Sequence, residues 1–127
     1  MAWRCTSQMM KAQSLLSQEK DSLKYQKEAD LTKVVKAWLK SQSYIKADKL
    51  SDRFKKGVPD IMACVNGIYV AIELKAEDKK PSAHQRLFIK QVIEVGGIGG
   101  TCETLGEVKI LIKEALKKFN KTDIQLQ

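Results

Sequence analysis

Residues 57–75 read GVPDIMACVNGIYVAIELK, and the middle of that string is a turn. Asn66-Gly67 stands between two apolar runs, Ile61 to Val65 and Ile68 to Leu74. A type I′ turn needs φ > 0 at both central residues, which Asn and Gly tolerate, so the string predicts a two-residue β-hairpin. A loop that short also sets the register. Val65 faces Ile68, Ala63 faces Val70, Ile61 faces Ile72, and one step further out Asp60 faces Glu73. Directly opposed residues share a sheet face, with Cβ atoms about 4.5–5.5 Å apart. Side chains alternate along a strand, which adds Lys75 to the same face. The predicted patch holds two carboxylates and an ammonium.

Like charges directly opposed destabilise a sheet, and a divalent cation between them removes that cost. Carboxylate oxygens suit hard cations such as Mg²⁺ and Mn²⁺; Mg²⁺ typically takes one or two carboxylates together with water and substrate phosphate. Such an ion polarises a phosphoryl oxygen, lowers the pKa of water and stabilises a leaving oxygen. A neighbouring lysine can hold phosphate or orient the attacking water. The patch therefore has the parts of a phosphodiester hydrolase. The competing reading is a carboxylate pair and a lysine on a solvated sheet face.

A chain of 127 residues with 43% hydrophobic and 30% charged content fits one soluble globular domain with its own core. No apolar run approaches the roughly 18 residues of a membrane span, and the opening MAWRCTSQMMKAQ lacks a long apolar h-region. Cys5, Cys64 and Cys102 are odd in number and form no CxxC pair, which favours cytoplasmic free thiols and disfavours a zinc site. The formal charge of +8 favours an anionic partner such as nucleic acid.

Residues 1–24 form a polar extension, part of it with helical spacing, that could dock, dimerise or stay free. A helix is expected over 28–41, where Leu31, Val34, Val35, Trp38 and Leu39 make one apolar stripe. Trp38 belongs to that stripe rather than to a base-stacking surface. Glu28 sits at the stripe's edge, either as a first-turn glutamate favoured by the helix dipole or as a group facing the patch. A strand near Tyr44 to Lys49 precedes the hairpin, and AEDKKP follows it as a loop. Ser82 with Gln85 is a capping box opening a helix to about Val95, with Phe88, Ile89, Val92 and Val95 on one stripe. Gly96-Gly97 ends that helix, and a strand near Ile98 to Thr101 follows. Thr104 with Glu107 is a second capping box, opening a helix whose apolar face carries Val108, Leu111, Ile112, Ala115, Leu116 and Phe119. Residues 120–127 are expected to be a polar tail. The order αβββαβα is α/β, a small mixed sheet flanked by helices.

The string PD, twelve residues, then ELK resembles the PD-(D/E)xK nuclease signature. More narrowly, GVPDIMACVNGIYVAIELK followed by KPSAHQ and VGG resembles the VRR-NUC (virus-type replication-repair nuclease) domain family over about residues 25–116. The resemblance implies a restriction-endonuclease-like core and a metal-dependent DNA endonuclease. Asp60 and Glu73 would ligate Mg²⁺ or Mn²⁺ with the Leu74 carbonyl, and Glu28 would join them directly or through water. Lys75 would position the attacking water, and Gln85 would orient substrate or Lys75. Stand-alone bacterial and phage members of this kind are similar to Holliday junction resolvases and act as homodimers, which implies a cytoplasmic setting in a bacterial or phage-infected cell and branched DNA as partner. The implied nuclease domain runs from 25 to 119.

Gln85 is claimed twice, as the cap of its own helix and as an active-site amide, and one amide is not expected to satisfy both. His84, in the first turn of that helix, is expected to be exposed and not a general base. Arg53, Lys55, Lys56, Lys79 and Lys80 flank the patch in sequence and are either phosphate contacts or solubilising charges. A non-catalytic nucleic-acid-binding module, or an exonuclease or restriction-like enzyme, are the alternatives to a junction-cutting endonuclease.

Overall fold

The computed structural model describes residues 18–50 and 57–126, with side chains described as far as residue 120. Arg53, Lys55 and Lys56, and most of the N-terminal extension, lie outside the described residues. After a helical turn at 18–22 come α1 (Glu28–Ser41), β1 (Ile45–Lys49), β2 (Ile61–Val65), β3 (Ile68–Leu74), α2 (Ala83–Glu94), β4 (Ile98–Cys102) and α3 (Leu105–Leu126). This is the α/β order expected from the sequence. The strands form one mixed sheet in the order β1-β2-β3-β4. The first three run antiparallel, and β4 joins β3 in parallel after the α2 crossover.

The hairpin has the register that its turn dictates. Ile61 pairs with Ile72, Ala63 with Val70 and Val65 with Ile68. Asn66 at φ 48° and Gly67 at φ 86° both occupy the left-handed region that a type I′ turn requires.

From Val70 onward β3 is buried on both faces. Val70, Ile72 and Leu74 enter the main core with Leu31, Val35 and Leu39 of α1 and Val108, Ile112 and Ala115 of α3. The opposite face, carrying Ala71 and Glu73, lies under α2, which also covers β4. A Cβ on Gly99 would meet Ile89 Cγ2 at 3.0 Å, so glycine lets this helix sit close on the strand. Trp38 packs against the core rim with the Lys109 ammonium 5.4 Å from its ring centre, in accord with its place on the stripe.

Two local expectations need revision. Val95 is 86% exposed, because α2 ends at Glu94 and Val95 takes the C-cap conformation, off the buried stripe. The Thr104–Glu107 box is half formed: the Glu107 N–H donates to Thr104 Oγ1 at 3.2 Å, but Glu107 Oε1 accepts from that same hydroxyl at 3.4 Å. Helical backbone in α3 continues to Leu126 through the polar stretch 120–126, which holds no Gly or Pro to end it.

Candidate metal centre

The end of the sheet where β2 begins and β3 finishes gathers three carboxylates. One oxygen each from Glu28, Asp60 and Glu73 lies within 4.8 Å of the others. Asp60 comes from the residue before β2, and Glu73 from the penultimate position of β3. Glu28 is the first residue of α1, brought in by tertiary packing. The segment before that helix is held at this end of the sheet, where the Glu77 N–H donates to the Tyr25 carbonyl at 2.9 Å. Glu28 therefore faces the patch as well as occupying a first helical turn.

Each acid is fixed differently. Asp60 Oδ2 accepts the Leu74 N–H at 2.7 Å, a bond across the open end of the hairpin that locks the carboxylate toward β3. Glu73 Oε1 accepts from Gln85 Nε2 at 2.7 Å and lies 3.4 Å from Lys75 Nζ. Glu73 Oε2 is buried and has no donor within reach. Glu73 is 0% exposed, which rules out the solvated-surface reading of the patch. Lys75 shares this burial, its side chain being 15% exposed.

A bare buried carboxylate oxygen is costly, and a proton or a cation can satisfy it. Without a cation the proton wins. Burial, followed by the neighbouring Asp60 carboxylate, pushes Glu73 from 4.5 to about 8, and the Lys75 ammonium only partly offsets this. A protonated Glu73 thus stands beside two further acids, and the three carboxylates lie close enough together to hold a divalent cation.

Gln85 overturns the expectation that its two roles compete. Its Oε1 accepts the Ser82 N–H at 2.8 Å while its Nε2 reaches Glu73, and its own N–H donates to Ser82 Oγ at 3.2 Å. An amide has two ends, and cap and site each use one. Two positioning groups were not foreseen as such: the Ser82 N–H, which orients the amide, and the Leu74 N–H, which anchors Asp60. The Ser-x-x-Gln spacing was the signal for the first; strand pairing beyond Ile61 was the signal for the second.

Gly57 ties the Asp60 loop to α2. It has φ +85°, and a Cβ there would lie 2.7 Å from backbone and Cβ atoms of His84. His84 itself is exposed, as expected. Lys79 and Lys80 stand exposed on the loop between β3 and α2. Cys64 is exposed and Cys102 buried, both free; burial, with a smaller effect from Glu107, pushes Cys102 up to about 12. Among the described residues no helix is long and apolar enough to cross a membrane.

No protein-family model and no curated protein matches the chain. A solved structure described as a VRR_NUC domain is similar to it with a TM-score of 0.58 at 24% sequence identity, covering 68% of this chain and 94% of that one. The fold is therefore VRR-NUC-like, a mixed sheet flanked by helices in the restriction-endonuclease manner.

Proposed function

We propose that this chain is a nuclease that hydrolyses DNA phosphodiester bonds with Mg²⁺ or Mn²⁺. The finer reading is a structure-selective endonuclease acting on branched DNA in the manner of a Holliday junction resolvase, as a homodimer. The observation that carries the proposal is the bare, buried Glu73 Oε2 set among three converging carboxylates. The VRR-NUC-like fold supports it. Glu28, Asp60, Glu73 and the Leu74 carbonyl would hold the ion. When bound, the ion would supply positive charge to a phosphoryl oxygen and acidify water.

The chain's own residues do the rest. Lys75 keeps an ammonium 3.4 Å from Glu73, where it can donate to water or to a phosphate oxygen. Gln85 holds Glu73 in one rotamer, and the Leu74 N–H does the same for Asp60. Preorganisation of this kind removes a reorganisation cost at the moment of reaction. Lys79 and Lys80, with Arg53, Lys55 and Lys56, would contact phosphates and make affinity fall with salt. A two-fold dimer would suit paired incisions.

The test incubates a four-way junction, duplex, flap and single strand with either metal, comparing the native chain with Lys75→Ala. Metal-dependent cutting by the native chain, lost in the variant while binding persists, is the expected result. Binding without cutting under every condition would identify a non-catalytic module. Equal cutting by both proteins would remove Lys75 from the chemistry.

A further inference from the structure

We infer that β1 is a docking edge for an extended acidic peptide, which would pair with it as a fifth strand of the sheet. The inference is independent of the nuclease reading. β1 is the outer strand of the sheet. The Leu50 N–H donates to the Asp60 carbonyl at 2.8 Å, and the Asn66 N–H donates to the Tyr44 carbonyl at 3.2 Å. Hydrogen-bonded pairs alternate along an antiparallel ladder, so Tyr44, Lys46, Asp48 and Leu50 turn their backbone groups toward β2. Ile45, Ala47 and Lys49 then turn theirs outward. The Ile45 N–H is taken by the Gln42 carbonyl at 3.3 Å. Among the described residues, nothing pairs the outward N–H groups of Ala47 and Lys49. An unpaired row of this kind is the template for strand addition.

Beside this row lies a groove of about 540 Å³ between α1 and β1. Ala37, Ile45 and Ala47 contribute an apolar floor, and Lys36, Lys40 and Lys49 contribute ammonium groups. Among the described residues these three ammoniums make no ion pair or hydrogen bond, whereas Lys46, also on the rim, is taken by Asp48 at 2.9 Å. Side chains alternate along an added strand, so a peptide alternating small apolar with acidic residues would place the first kind on the floor and the second against the lysines. A second copy of this chain fits less well, because its β1 carries one acid, Asp48, and that carboxylate is already held by Lys46 at 2.9 Å. A nucleic-acid strand is disfavoured because no aromatic side chain lines the groove for base stacking and because outward carbonyls repel phosphate.

The probe is a fluorescein-labelled synthetic peptide alternating Glu with Val, titrated into the full chain and followed by polarisation. Saturable binding that weakens with salt is expected. Lys36→Glu combined with Lys40→Glu should weaken it at least tenfold. Ala47→Pro removes an outward N–H without breaking the β2 ladder, and should weaken binding roughly five- to tenfold, the worth of one hydrogen bond. Native-like melting of Ala47→Pro shows that the fold survives; if it fails to fold, protection of the Ala47 and Lys49 amides from exchange on peptide addition gives the same reading in the native chain. No peptide binding, or binding indifferent to both substitutions and without amide protection, overturns the inference. A single-stranded oligonucleotide that displaces the peptide and is equally weakened by Lys36→Glu with Lys40→Glu assigns the groove to nucleic acid instead and also overturns it.

Discussion

Gln85 joins the cap of α2 to the buried acid of β3: its carbonyl accepts the Ser82 N–H at 2.8 Å, and its amino group donates to Glu73 at 2.7 Å. Replacing it should therefore separate two effects. Gln85→Ala should lower stability by about 1 kcal/mol, the usual worth of a cap, and lower metal affinity or activity about 10- to 100-fold, as loss of a group orienting a ligand does. Ser82→Ala removes the hydroxyl but keeps the N–H, so it should cost similar stability with much less effect on metal binding. Thermal melts beside calorimetric Mn²⁺ titrations check both.

The proton on Glu73 gives a pH dependence with a definite sign. Its value is about 8 in the folded chain against an ordinary 4.5, so between these limits the folded state carries a proton that the unfolded state has lost. Metal-free stability should therefore fall as pH rises across that window, by up to about 1.4 kcal/mol per pH unit. A cation must displace the same proton, so its affinity should grow by up to about tenfold per unit toward pH 8 and then level off. Flat Mn²⁺ affinity from pH 6 to 8 would contradict the raised value.

Glu73→Gln keeps the shape and removes the charge. At pH 9 without metal this variant should be more stable than the native chain by about 1–3 kcal/mol, because a buried charge next to Asp60 has gone. At pH 5, where both side chains are neutral, the difference should nearly vanish. The stabilisation that Mn²⁺ gives the native chain should be absent from the variant, which a pair of melts with and without the ion will show.

Gly57→Ala should destabilise the chain by more than about 1 kcal/mol, since alanine is strained at positive φ and its methyl would press on His84. The Asp60 loop would shift with it. Metal affinity should fall even though no ligand has been altered, and the same titration reads the change.

The hairpin was legible because two residues with positive φ set the register of everything outward to Asp60 and Glu73, and that logic is local. The apolar stripe of α1 was legible for the same reason. Glu28 was readable only as a choice between two roles, since its approach depends on how α1 meets the end of the sheet. The dual use of Gln85 was missed because spacing names a residue without assigning the two ends of its amide. Val95 was misplaced because periodicity continues on paper past a cap that the backbone has already turned. The unpaired edge of β1 left no mark in the sequence, for strand order is decided by packing.

The Tyr25–Glu77 backbone bond has a bearing on how this molecule could be assayed. It sits where the chain enters α1, three residues before Glu28, which lies beside the two acids of the hairpin. A partly assembled chain with the hairpin made and this helix undocked would offer two carboxylates in place of three. On the proposed reading, ion uptake would gauge tertiary completion: a sample that looks fully helical and sheeted by spectroscopy yet takes up Mn²⁺ weakly would have that one helix adrift.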